Sequence, residues 1–216
     1  MRLIMKFKFF VLLALGLVSM SCSSKESAEE YKAGKNEVTA EPAVEISMEI
    51  VNGESFVDAR DNQVYRYVKI GDAVWMKDNL RFASEKSFCN QEYGGCDKVG
   101  RYYTIEELST LCPEGWRIPK AKDFAAMQKA CKKNPGFCLW HEFEKQGSDE
   151  IGFSALALGR YDLHVSKFSE VGTRAYFWSE TNGKAKDVFT LKKGEYASSI
   201  NRAEKSDAFA VRCVKM

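Results

Sequence analysis

Seven cysteines are the residues of this chain whose chemistry is most readily assigned, and Cys22 stands apart from the other six. It follows a basic N-terminus and the apolar run 9–18, which is too short to span a bilayer, and it precedes the polar stretch 23–27. This pattern predicts cleavage ahead of Cys22 and acylation of its thiol and new amino group, as in bacterial lipoproteins. The alternative is an ordinary secretory leader, which Ser19 favours because leucine is usual at that position.

The other six cysteines form an even set, which in an exported chain predicts three disulfides. Six cysteines allow 15 connectivities. The spacing ranks one of them first, because two pairs flank short turn-rich loops that can close locally. The resulting bridges are Cys89–Cys96, Cys131–Cys138 and Cys112–Cys213. Free buried thiols or a metal site are the alternative, but the chain has no Cys-x-x-Cys and only two histidines.

Side chains that could catalyse a reaction are few. His141 adjoins Glu142, and His164 lies near Asp162, so each could form an acid–base pair. Exposed loop residues are the better interpretation, because no third group can be identified. No serine or cysteine nucleophile motif occurs, nor the carboxylate set of a calcium-dependent lectin. We therefore expect no enzymatic activity, no metal and no cofactor.

Aromatic residues in the second half of the chain suit a binding surface. The candidates are Tyr161, Tyr176 and Trp178, with Asn182 close by in the sequence. Aromatic rings stack on sugar faces and fill protein interfaces. The alternative is that Phe177 or Trp178 packs in the core, and for at least one of them that interpretation is preferred.

Composition divides the chain into three parts. We predict a signal peptide over 1–21, an acidic flexible tether over 22–50, and a folded domain over 51–216. Acidic and basic side chains nearly balance, 30 against 32, and no basic cluster occurs. A nucleic acid partner is therefore not expected.

Two helices are predicted in the folded domain. The first begins at Thr104, where Glu107 completes a capping box, and it ends at Cys112-Pro113 because proline cannot continue a helix. The second runs from about 120 to 133. Its apolar face carries Phe124, Met127 and Cys131.

Strands are predicted on both sides of these helices. Gln63–Ile70 and Ala73–Met76 are joined by the two-residue hairpin turn Gly71-Asp72. Trp116 and Ile118 lie two apart and should face one interior side. Further strands are predicted over Phe153–Leu158, Ala175–Ser179, Asp187–Leu191, Ala197–Asn201 and Ala208–Val214, the last half-buried through its alternating Phe209, Val211 and Cys213. The pattern indicates an α+β domain around an antiparallel sheet.

The residues of several segments, and the order of these segments along the chain, resemble those of one known family. The segments are Asp58–Tyr65, Val68–Gly71, Trp75–Leu80, Gly100–Thr104, Cys112–Pro119, Gly152–Leu156, Tyr176–Ser179 and Val211–Val214. They resemble the Fibrobacter succinogenes major paralogous domain (FISUMP) family, over roughly 57–214. The resemblance implies an exported, often lipid-anchored protein of a family generally without assigned activity.

A more distant similarity concerns Gly115–Pro119 and Phe209–Cys213, which are similar to segments of the sulfatase-modifying-factor family. It implies a C-type-lectin-like fold: terminal strands close together, two helices and an irregular long-loop region. A disulfide from a helical region to the last strand is usual there, in agreement with Cys112–Cys213. Lys120 departs from the usual Thr or Ser and cannot cap the second helix, so we expect its first turn to be less firmly held.

These observations together predict a lipoprotein of the bacterial envelope. The lipid at Cys22 would attach the chain to the membrane, and Ser23 after the anchor favours the outer membrane and surface exposure. The folded part is expected to be a non-catalytic binding or adhesion domain for glycan or protein. The alternatives are a structural or assembly subunit of an envelope complex and, less favoured, an enzyme on a formylglycine-generating scaffold.

Overall fold

The computed structural model describes residues 55–216, except 133, 145, 146, 182 and 183. The predicted signal peptide (1–21) and tether (22–50) lie outside the described residues. The strands are β1 (Ser55–Asp58), β2 (Gln63–Ile70), β3 (Ala73–Met76), β4 (Ser87–Phe88), β5 (Tyr102–Tyr103), β6 (Trp116–Arg117), β7 (Arg160–Asp162), β8 (Lys167–Ser169), β9 (Arg174–Thr181), β10 (Lys184–Lys192), β11 (Ser198–Arg202), β12 (Asp207–Ala210) and β13 (Val214–Lys215). The helices are α1 (Cys96–Val99), α2 (Leu108–Leu111), α3 (Ala121–Ala130) and α4 (Pro135–Cys138), with a 3-10 helix at Gln91–Tyr93.

Two sheets organise these strands, and most of the neighbouring pairs are antiparallel. The first has the order β1-β2-β3-β13-β6, so the last strand of the chain pairs with β3 near the start of the domain. The second has the order β11-β10-β9-β12-β5-β4, with the β7–β8 hairpin pairing β12. The described residues are therefore mostly β-structure with a few short helices.

The β2–β3 hairpin has the predicted bounds. Its turn is Gly71-Asp72, and Ile70 pairs with Ala73 across it. Gly71 has a φ of 60°, which a residue without a side chain adopts at little cost. Here the local sequence pattern is sufficient to specify the structure.

The first helix is shorter than predicted. It covers only Leu108–Leu111, and the capping box expected from Thr104 and Glu107 does not form. The Glu107 carboxylate instead accepts hydrogen bonds from Ser84 Oγ (3.0 Å) and the Lys86 amide (2.9 Å). The loop at residues 84–86 therefore binds the Glu107 carboxylate, which the predicted capping box required.

Helix α3 is held at its start by Asp123 rather than by its N-cap residue Lys120. Asp123 Oδ2 accepts from the Lys120 amide (2.6 Å), and Arg117 donates to both carboxylate oxygens. Burial works to raise the pKa of Asp123, but these hydrogen bonds outweigh it and lower the pKa. The charged pair provides what a Ser or Thr cap would otherwise provide. The helix buries Phe124 and Met127, as predicted.

The segment 153–158 is not the strand that was predicted. Ser154 has a φ of 54°, outside the extended region, and its amide and hydroxyl both donate to Asp149. Only an isolated bridge between Ala155 and Trp140 remains. All apolar residues of this segment except Leu156 are buried, and the segment runs as an irregular loop.

The C-terminal segment separates two hydrophobic cores. Phe209, Val211 and Cys213 share one core with Trp116 and Ile118, whereas the alternate residues Ala210 and Val214 belong to the other. The segment is therefore buried on both faces, not half-buried, and it is divided into β12 and β13 rather than being continuous. The core that contains Ala210 and Val214 is built around Trp75, Phe124, Trp140, Phe153, Phe177 and Phe189.

Three disulfides link Cys89 to Cys96, Cys112 to Cys213, and Cys131 to Cys138. This is the pairing that the spacing ranks first. Cys112–Cys213 joins the end of α2 to the segment between the two cores. No helix among the described residues has the length and apolar character needed to cross a membrane.

We expect the three bridges to differ in their contribution to stability. Cys112–Cys213 closes a separation of 101 residues, so replacing both cysteines with alanine should lower the free energy of unfolding by about 4.7 kcal/mol on chain-entropy grounds. Cys89→Ala/Cys96→Ala, the matched control with a separation of 7, should cost about 2.5 kcal/mol. Denaturant unfolding measures both. Equal losses would contradict the assignment of the long bridge as the main covalent brace.

Candidate functional site

Trp178 lies in the core and is not on a binding surface. Its side chain is 0% exposed, its Nε1 donates to the Tyr103 carbonyl oxygen (2.7 Å), and its ring meets Phe209 edge-on at 4.9 Å. A ring enclosed in this way cannot stack on a ligand from solvent. The prediction that placed Trp178 on a binding surface is therefore wrong, and its alternative holds for Trp178 and for Phe177.

The other predicted surface residues do not meet at one place. Tyr161 stacks on Phe88 with ring centres 4.0 Å apart and also contacts Phe168, so it packs in a small satellite core. Asn182 lies outside the described residues. Tyr176 alone among the described candidates borders a groove.

The floor of this groove is one face of the β9–β10–β11 sheet. Side chains alternate across a strand, so the residues beside Phe177 face away from the core that Phe177 enters. Tyr176 pairs with Thr190 of β10, which pairs with Ser199 of β11. With Arg174 and Lys192 as the adjoining pair, these residues form the floor of a groove of about 430 Å³.

A chain of charged groups forms one wall of the groove. Arg160 donates to Asp207 Oδ2 (2.5 Å), and its Nε lies 3.3 Å from Glu170. Glu170 also pairs with Arg174 (3.2 Å) and accepts from the Tyr176 hydroxyl (2.6 Å), to which Arg174 Nη1 donates (3.1 Å). Glu170 therefore joins two arginines and the tyrosine in one network.

Burial and charge shift the pKa values of this network. Burial raises the pKa of Asp207, helped by Asp162 and Glu204, and Arg160 offsets only part of this. Burial works to lower the pKa of Arg160, but its carboxylate partners outweigh it and raise the pKa. The pKa of Tyr176 is raised by burial and by the carboxylate of Glu170.

Polar side chains make up most of the groove lining, and they supply guanidinium, carboxylate and hydroxyl groups. Three buried atoms of these residues, Arg160 Nε, Thr190 Oγ1 and Asp207 Oδ1, make no hydrogen bond within the described part of the chain, but they are inaccessible and cannot contact a ligand directly. The accessible donors and acceptors of the lining suit the groove to a polar, hydroxyl-bearing ligand.

Comparison with known proteins identifies the family. Residues 68–215 match the model of the Fibrobacter succinogenes major domain (Fib_succ_major), which covers well over half of the chain. This chain belongs to the Fib_succ_major family. No curated protein and no solved structure matches it.

Sequence reasoning missed most of this groove in the Fib_succ_major domain. Asp207 and Arg160 are 47 residues apart, and Glu170 lies in the turn between β8 and β9. The one usable signal is the alternation of polar Arg174 and Tyr176 with apolar Ala175 and Phe177, which places the polar pair on the face opposite the core that Phe177 enters.

The two histidines of the Fib_succ_major domain occupy separate places. His141 Nδ1 accepts from the Phe143 amide (3.1 Å), and the two rings are in contact. His164 lines a second pocket, next to the groove. Asp162 Oδ1 accepts from the His164 backbone amide (2.9 Å), so this carboxylate organises the β7–β8 turn. Among the described residues, no group of three or more His, Cys, Asp or Glu side chains could hold a metal ion.

The Glu170 network can be tested through Tyr176. Replacing Glu170 with Gln keeps a hydrogen-bond acceptor but removes the negative charge, so the pKa of Tyr176 should fall towards its usual value of 10.0. Carbon-13 NMR of ring-labelled tyrosine reports this pKa directly. Glu195→Gln is the control, because Glu195 lines the same groove but pairs with Lys192. An unchanged Tyr176 titration in the Glu170→Gln protein would show that the charge has no influence there.

Proposed function

We propose that this Fib_succ_major protein is exported, anchored in the outer membrane by lipid on Cys22, and presents its domain at the cell surface as a non-catalytic binding module for glycan or protein. The observation that carries the binding role is the open groove of about 430 Å³, whose wall is a hydrogen-bonded network of arginine, carboxylate and tyrosine side chains. The disulfides support export, since such bonds persist in oxidising compartments. Six of the seven cysteines are thereby paired, and Cys22 remains for acylation.

We also propose that the fold is C-type-lectin-like. The antiparallel pairing of β3 with β13 supports this, because it brings the two ends of the domain together as that fold requires. The disulfide from the end of α2 to Cys213 and the irregular stretch between α4 and β7 are further support.

The chemistry of the groove favours binding over catalysis. Its lining offers guanidinium donors, carboxylate acceptors and hydroxyl groups in a fixed network, which is the set that hydrogen-bonds sugar hydroxyls or a polar protein surface. A formylglycine-type oxidase would need reactive thiols, and every cysteine of the described residues is in a disulfide. That pairing argues against the enzyme alternative.

An assembly subunit is the second candidate function, supported by a different observation. Phe143 and Tyr196 are large, exposed side chains, 83% and 66% accessible, of the kind that protein partners cover. Co-purification with envelope proteins, without any glycan binding, would favour this alternative.

The anchor is tested by replacing Cys22 with serine in the full chain. Cleavage and acylation both need the cysteine, so labelling with an alkyne fatty acid should be lost and the precursor should accumulate with its leader still attached. Ser21→Ala is the matched control and should retain label. Labelling that persists in the Cys22→Ser protein, or wild-type protein without label, would refute the lipoprotein assignment.

The groove is tested with a soluble mature chain that carries Cys22→Ser. We expect this protein to bind one class of glycan on a glycan array, or one envelope protein in a pull-down. Arg202 and Asn201 are exposed on β11 at the groove, so Arg202→Ala/Asn201→Ala should weaken that binding about tenfold, roughly 1.4 kcal/mol, without unfolding the domain. Lys129→Ala, which removes one exposed positive charge on α3, is the control. Equal binding by all three proteins would exclude the groove as the site.

A further inference from the structure

A fully buried arginine lines a third, smaller pocket, separate from the groove and from the pocket at His164. Arg212 is 2% exposed, and its guanidinium donates to Asn79 Oδ1 and to the carbonyl oxygens of Phe153 and Ser154. Within the described part of the chain, no carboxylate forms an ion pair with it. These three bonds use three of the five N–H groups that a guanidinium carries.

The pocket above Arg212 has an excess of positive charge. It has a volume of about 140 Å³, and its wall includes Arg66, Lys77, Lys98 and Arg212 but only one carboxylate, Asp78. Arg66 pairs with Asp78 (2.5 Å), and Lys77 lies 4.0 Å from Asp149 outside the wall. Lys98 makes no ion pair among the described residues, and Arg212 has its hydrogen bonds and the longer-range attraction of Asp78 and Asp149. Four cations therefore face two nearby carboxylates, and this excess of positive charge favours an anion in the pocket.

An exposed aromatic side chain forms the rim of the same pocket. Phe143 is 83% exposed and lies against His141, with ring centres 4.3 Å apart. Both residues line the pocket together with the buried Arg212. An aromatic face beside a polar recess is suited to a ring with one apolar face and a charged substituent.

We propose that this pocket binds an acidic sugar, with the carboxylate in the pocket towards Lys98 and Arg212 and the sugar ring on Phe143. A carboxylate fits within about 140 Å³, and the exposed Phe143 ring at the rim offers a face for the sugar ring that carries it. The pocket shares no lining residue with the groove on β9–β11, so this site can exist whether or not the groove binds a ligand.

The probe is sodium glucuronate, titrated into the mature chain carrying Cys22→Ser and followed by NMR. We expect saturable shifts of the Asn79 side-chain amide, the His141 ring and the Phe143 ring. Glucose should cause none, and acetate should bind more weakly because it lacks the ring. Glucose shifts equal to those of glucuronate, or a complete absence of shifts, would overturn the proposal, and so would inorganic phosphate that binds more tightly than glucuronate.

Two variants distinguish the contribution of the Lys98 charge to binding from that of the Phe143 ring. Lys98 is exposed, so Lys98→Glu should leave the fold intact and weaken glucuronate and acetate alike, by about tenfold. Phe143→Ala should reduce glucuronate affinity to that of acetate and leave acetate unchanged. Lys129→Glu makes the same charge change on α3 and should have no effect. An affinity for glucuronate that Lys98→Glu leaves unaltered, or that Lys129→Glu reduces equally, would refute the site.

Discussion

The buried guanidinium of Arg212 is the interaction on which the irregular half of the domain depends. A charge in the interior is tolerated only when its N–H groups are hydrogen-bonded, and here the acceptors come from Asn79 and from the carbonyls of Phe153 and Ser154. Phe153 and Phe177 also present their ring faces to it, at 4.6 and 5.1 Å. Burial lowers the pKa of Arg212 to about 10, still well above neutrality, so the group stays charged and its acceptors must stay in place. The loop at 153–154 is therefore shaped by a charge, not by a hydrophobic pattern.

This explains which elements could be predicted from the sequence. The β2–β3 hairpin and most of β9, β10 and β11 follow from local alternation and turn residues, and the structure has them. The segment 153–158 has the apolar composition of a strand, yet its backbone is fixed by polar contacts. The carbonyls of residues 153 and 154 accept hydrogen bonds from Arg212, and the Ser154 amide donates to Asp149. The capping box at Thr104 does not form for the same kind of reason, since the Glu107 carboxylate accepts a hydrogen bond from Ser84 instead. Long-range polar contacts override local preference in both places.

The candidate site was harder to predict than the fold, and strand β9 shows why. Alternation correctly places Tyr176 and Trp178 on the face opposite Phe177. It does not say which part of that face is covered. Trp178 lies where β5 and Phe209 close over the sheet, whereas Tyr176, two residues earlier, borders the groove. Coverage depends on strand order in the sheet, in which β12 lies between β9 and β5, and a single strand carries no information about that order.

The Cys131–Cys138 disulfide contributes to the shape of the groove. Cys131–Cys138 closes a short loop containing Gly136, whose amide donates to the Tyr196 carbonyl oxygen (2.9 Å). A side chain on Gly136 would come within 1.8 Å of the Glu195 carbonyl oxygen, so the loop lies directly against the turn after β10. Glu195 itself lines the groove. The disulfide thus holds the loop against a segment that lines the groove, and formation of this bridge helps to fix the geometry of the candidate site.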